Sequence, residues 1–284
     1  MPRNSLRFVG VLFFLALASL ETVHGLDLNT ITTRGVIEVA VYEGFPPYSS
    51  RTRGQATGVD VAVGKVLAEK LGVNTELRLF RADESLEDDL RNQIWKGHYL
   101  GGGTADLMMH VPVDPGLAQD NEQVAIIAPY YRETIVVARE PRLQDAATLD
   151  QLEGERIGAE KLTLASDYLA LALDGSLRDD LVLFESVADA AEALRQGSLA
   201  AVMAPRGELE GALGADAQKY AIGQMALPRL RHSGWDLGVA VRSSNSELAQ
   251  AIATAMQELR EEGVIEKIFK THGLAYQPPS RAAM

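Results

Sequence analysis

The chain has 284 residues, 46% of them hydrophobic and 23% charged, a composition that builds packed domains and excludes a disordered polar chain. Its formal net charge of −12 argues against a nucleic-acid-binding or anionic-membrane-binding surface. There is no cysteine, which excludes disulfides, thiolate catalysis and a cysteine-linked lipid anchor.

In chain order, Arg3 and Arg7 precede the apolar run from Phe8 to Leu20, and Val23 and Gly25 stand at the −3 and −1 positions of a cleavage site. Residues 1–25 therefore read as a secretory signal peptide, because the apolar run is shorter than the roughly 20 residues that span a bilayer. Residues 36–41 are a β-rich run closed by Gly44 and the Pro46-Pro47 pair. A helical pattern opens at Gly58 and stops at Gly72; residues 75–80 alternate like a strand. Ser85 to Asp88 resembles a capping box, with Leu86, Leu90 and Ile94 on one face of the helix that follows. Strands are expected at 104–111 and 134–138.

The pattern then restarts. Strands at 156–159, 181–184, 200–204, 219–222 and 236–241 alternate with helices at 164–173, 187–196 and 208–213. Ser244 to Glu247 caps a long helix that runs to Glu262, and a last helix covers 264–271. Alternating β and α elements imply parallel-rich sheets covered by helices. About ten strands exceed the roughly 5–6 of an average sheet, so two α/β lobes with a cleft between them are expected.

Six segments occur in one order: RGVIEVAVYEGFPPYS, GQATGVDVAVGKVLAEKLG, GGGTADLMM, APYYRETIVVA, LDQLEGERIGAEK and GWDLGVAVRSSNSELAQAIATAMQELREEGVIEKIFKTHG. Together they resemble the periplasmic solute-binding proteins of the polar amino-acid type (family 3), the receptors of ABC importers. The resemblance implies a two-lobed type II binding-protein fold, α/β, with an interlobe cleft and two hinge strands. It places the crossings near Tyr130–Glu133 and Arg231–Asp236, with lobe 1 over 26–131 and 236–284 and lobe 2 over 132–235. The family's carboxylate-clamping arginine and its threonines are missing from residues 111–118, and its ammonium-binding aspartate is missing from residues 200–206, where no acid occurs before Glu208. An alanine cannot replace a bidentate arginine, so an ordinary α-amino acid is not the expected ligand; Arg206 at that place suggests an anionic group. The segments HYLGGGTADLMMHVPVDP and APYYRE resemble a narrower branch, the solute-binding-like proteins associated with quinoprotein alcohol dehydrogenases, including methanol-oxidation accessory proteins. That implies a periplasmic monomer that binds pyrroloquinoline quinone (PQQ) or another small anionic or planar ligand, or docks the dehydrogenase. The same resemblance implies no intrinsic cofactor and no catalysis of its own.

Several side chains are candidates for the cleft. Alternation puts His110 on the face of Met108, at the end of its strand, either facing a ligand or as a structural histidine. His98 precedes three glycines that form a cleft lip or a plain turn. Lys161 and Thr163 lie on a strand-to-helix turn whose free N–H groups favour anions; a solvated lysine is the alternative. Arg206 opens a helix, and Arg132 either braces the hinge or touches ligand. By resemblance, Glu43 and Tyr48 belong to a ligand wall, and Trp235 lies near the cleft floor, where its ring suits a planar ligand. The histidines have no metal-ligand spacing. Two other functions are open. One is an ABC-transporter receptor for another small polar solute; the other is a cyclohexadienyl dehydratase-like enzyme with Glu43 as its acid.

Overall fold

The structure, a computed structural model, describes residues 28–230 and 232–280. The signal-peptide expectation, and Arg231 at the second crossing, lie outside them. Among the described residues eleven strands and nine α-helices follow in order: α1 (Leu28–Arg34), β1 (Val36–Tyr42), β2 (Ser50–Thr52), β3 (Gln55–Thr57), α2 (Val59–Lys70), β4 (Asn74–Phe80), α3 (Leu86–Leu90), β5 (Leu107–Pro112), α4 (Pro115–Asp120), β6 (Val124–Arg139), β7 (Ile157–Glu160), α5 (Leu164–Leu171), β8 (Leu181–Phe184), α6 (Val187–Arg195), β9 (Ala201–Pro205), α7 (Arg206–Leu213), β10 (Ala221–Gly223), β11 (Gly234–Arg242), α8 (Ser246–Glu261) and α9 (Val264–Thr271). Ser85 caps α3 as its sequence predicts, accepting from Asp88 N–H. The cap of α8 is Asn245, accepting from Leu248 N–H, rather than Ser244.

The fold is α/β and two-lobed. Among the described residues nine strands form one sheet: eight follow the hydrogen-bonded path β4-β1-β5-β11-β6-β9-β7-β8, and β10 is added on β6. β1 runs parallel to β4 and β5 in one lobe, and β7 runs parallel to β8 and β9 in the other. The lobes are joined by the 16-residue β6, which pairs with β11 up to Thr134 and with β9 from Ile135 onward. The sequence reading found only the second half of this strand. Its first half carries Pro129 and the left-handed Ala128, which break the β signature there.

Each lobe has cores on both faces of its sheet, as period-2 alternation requires. In lobe 1, Val39 and Val41 pack under α2 and α8, while Ala40 and Met108 face Leu90 and Ile94. In lobe 2, Ile135 and Val137 pack with Leu169, and Val136 and Ala138 pack with Leu194 and Leu209. Trp235 touches a core of each lobe.

Alternation fails at one place that matters. His110 has φ 66, in the left-handed region. The β5–β11 register slips there, with Gly238 opposite Val111 and Ala240 opposite Met108. This bulge re-aims the side chain: Val111 packs on the side of Met108, and His110 turns to the opposite face, toward α2. The expected shared face of Met108 and His110 is therefore corrected.

Candidate functional site at the lobe junction

The turn after β1 brings Phe45, Pro46, Pro47 and Tyr48 to the carboxyl end of the lobe 1 sheet. Reciprocal bonds between Phe45 and Ser49 close the turn, and Pro47 and Tyr48 carbonyls accept the Val59 and Asp60 amides at the start of α2. Behind the turn lies a buried polar group. Asp60 has no exposed surface; it accepts from the Tyr130 hydroxyl at 2.6 Å and pairs with His110 Nδ1 at 3.0 Å. The His110 ring packs on Phe45 and Tyr48, with centroids 4.9 and 4.3 Å apart.

Lobe 2 presents glutamates toward this turn. Glu133, on β6 where the strand changes partner, is buried; it accepts from the Tyr48 hydroxyl, from Thr134 N–H at 2.8 Å and from Gly207 N–H at the start of α7. Glu160 ends β7 and accepts Val187 N–H at 3.1 Å, in the first turn of α6. Glu208, in the first turn of α7, makes no hydrogen bond or ion pair among the described residues. Burial pushes its pKa up to about 8, with the nearby negative charges of Glu133 and Glu160 adding to the rise. Burial also raises the pKa of Glu133 and of Glu160. A cavity of about 300 Å³ separates the lobes; Phe45 and Pro47 wall it on one side, and Glu160, Val187 and Glu208 on the other. Among the described residues no lysine, arginine or histidine lines it. Larger hollows lie elsewhere, between α2 and α8 and beside α5.

The sequence candidates divide accordingly. Tyr48 and His110 are brought together at the junction. Tyr48 is buried with its hydroxyl on Glu133, so Phe45 rather than Tyr48 forms the aromatic wall. Glu43 pairs with Arg51 at 2.9 Å. His98 is set elsewhere: its ring stacks on Tyr99 and its Nδ1 accepts from Leu100 N–H. The glycines beside it reach Arg78, which pairs with Glu38 at the amino end of β1, the end of the sheet away from His110. Lys161 is exposed and paired with Glu185 at 2.5 Å. Thr163 caps α5, accepting from Ser166 N–H. Arg206 pairs with Glu210 at 2.9 Å, and Arg132 braces the hinge through Asp236 at 2.9 Å. Trp235 sits in the seam between the cores. His110, Lys161 and Arg206 each pair with a carboxylate of the chain, Asp60, Glu185 and Glu210 respectively.

Glu133, Glu160, Phe45 and Asp60 were not singled out from the sequence. Only the strand-end position of Glu160 carried a usable signal.

No protein-family profile matches the chain. It is 22% identical over 249 residues to a protein named "Putative ABC transporter arginine-binding protein 2" from Escherichia coli (strain K12), covering 87% of this chain and 94% of that one. It is 26% identical over 265 residues to an L-arginine-binding protein of Pseudomonas aeruginosa, covering 89% and 94%. Among solved structures, an "Ancestral Cationic Amino Acid Solute Binding Protein" superposes with a TM-score of 0.69 at 18% identity, over 87% of this chain and 99% of that one. These likenesses show the fold of amino-acid solute-binding proteins.

Proposed function

We propose that the chain is a periplasmic solute-binding protein of the polar amino-acid type, that its cleft receives a small organic cation, and that it delivers this solute to an ABC permease. The observation that carries the reading is Glu208: a carboxyl beside Glu160 that has no cationic partner among the described residues, on a cavity between lobes that none of their basic residues lines. An ammonium or guanidinium would supply the missing charge and donors. Phe45 adds an aromatic wall suited to a flat cation. The two relatives named for arginine binding, and the cationic amino-acid protein of like fold, point the same way.

The ligand class is narrower than theirs. The segment after β5 has neither arginine nor threonine to hold a carboxylate, and its Asp114 caps α4 instead, accepting from Leu117 N–H. The favoured solute is thus an amine or guanidine without a carboxylate. A thermal-shift panel of agmatine, putrescine, arginine, glutamine and glutamate tests this. Agmatine or putrescine should raise the Tm by several degrees at millimolar concentration. A shift given by glutamate or glutamine alone would refute the reading.

The second reading keeps the quinoprotein association that the segments around His110 and Tyr130 resemble. Its PQQ-binding form meets an obstacle: a tricarboxylate would face Glu160 and Glu208 with no cation on the cavity wall. Docking to a dehydrogenase is the form that places no anion in the cleft. A dehydratase would need a general acid; Glu43 is taken by Arg51, and although Glu208 is protonated at neutral pH, an anionic substrate such as prephenate would meet Glu160 and no cation on the cavity wall. Absence of prephenate turnover, followed by ultraviolet absorbance, is expected.

A further inference from the structure

We propose that closure of the two lobes is built into the chain, through a plug and a strap, so that the protein rests closed before any solute arrives. This stands on the two-lobed fold and not on the ligand class.

The plug is Pro47 and Tyr48 of lobe 1. It seats on α7 of lobe 2 at Gly207 and Gly211, one turn apart on one helix face. A Cβ on Gly207 would overlap the Tyr48 hydroxyl, and a Cβ on Gly211 would lie 2.7 and 2.8 Å from Pro47 side-chain carbons. Glycine inside a helix costs about 1 kcal/mol against alanine. Neither glycine sits at positive φ, so backbone conformation does not demand either of them. The shape they create is a groove that fits the plug. Tyr48 then donates across the junction to Glu133, whose other contacts include Gly207 N–H. The plug is rigid on its own side, held by the α2 amides and by Gly58, where a Cβ would collide with the Tyr48 carbonyl.

The strap is the segment after α9. Leu274 stays in the lobe 1 core. The next residues cross to the other lobe: Ala275 N–H donates to Glu210 of α7 at 2.7 Å. Gln277 carbonyl accepts from Arg132 N–H at 2.9 Å, and Ser280 binds Asp236 through its amide and its hydroxyl. The strap thus ties α9 of lobe 1 to α7 of lobe 2 and to both crossing strands.

A protein closed by its own contacts does not depend on solute to shift its lobes, and entry of a solute requires opening first. The native chain lacks cysteine, so two introduced cysteines label uniquely. One dye pair at the exposed Gln55→Cys and Gln196→Cys positions reports lobe separation by single-molecule energy transfer, and small-angle scattering of the unlabelled protein gives an independent size. Ligand-free wild type should show one high-transfer population and a scattering curve that fits the closed coordinates. Gly211→Ala, and separately a chain ending at Leu274, should each lower the closed-to-open ratio by at least about tenfold. Both variants should keep a cooperative melt. The proposal is overturned if ligand-free wild type is open. It is equally overturned if Gly211→Ala leaves transfer unchanged and simply raises the Tm, as helix propensity alone would dictate.

Discussion

Glu208 is the residue on which charge and structure disagree most. In the folded chain it holds its proton up to about pH 8 because burial, Glu133 and Glu160 all disfavour the anion. In the unfolded chain it ionises near the ordinary glutamate value of about 4.3. Between those two pH values the unfolded chain has released a proton that the folded chain keeps, so stability falls as pH rises through this window and levels off above it. Glu133 and Glu160 are shifted in the same direction and steepen the fall. Glu208→Gln removes one part of it. At pH 8 the variant should melt at least about 2–4 °C above wild type, which corresponds to a gain of at least about 1 kcal/mol for a chain of this size. At pH 4 the two should melt together. Equal melting temperatures at both pH values would show that Glu208 is solvated. None of this was legible beforehand, because three glutamates distant in sequence become neighbours only once β6, β7 and α7 are assembled.

Among the elements, the β5–β11 bulge decides where His110 points. Gly238 makes the bulge possible: a Cβ there would lie 2.5 Å from the Ile127 carbonyl oxygen and 2.7 Å from a Val113 methyl. Gly238→Ala should therefore destabilise the fold by about 1–3 kcal/mol, through overpacking at backbone that cannot move freely. A Tm drop in chemical or thermal melts checks it, and an unchanged Tm would mean that the strands separate at no cost. Most elements were legible from local pattern. The runs at 36–41 and 75–80, and the helices ending at Gly72 and Glu262, carry their own periodicity and stop signals. The face of His110 was not, because the partner strand that imposes the slip lies far along the chain. The length of β6 was hidden for a related reason. A strand interrupted by Ala128 and Pro129 holds together through its pairing with β11, which no local window contains.

For the whole molecule, the two-lobed plan was legible from the repeated alternation of strands and helices. The charge of the cleft was not, because Lys161, Arg206 and Arg132 reveal their partners only in three dimensions. With those cations paired elsewhere, the ionisable groups on the small junction cavity are Glu160 and Glu208. Among the described residues no helix is long and apolar enough to cross a membrane. The central claim is that this cavity selects a small cation and rejects polyanions. Equilibrium titration of wild type and Glu208→Gln with agmatine and with PQQ, side by side at pH 8, tests it most directly. The account predicts saturable agmatine binding by wild type, weakened at least about tenfold in the variant, and no PQQ binding by either. PQQ binding to wild type at one-to-one stoichiometry, with agmatine inert, would contradict it.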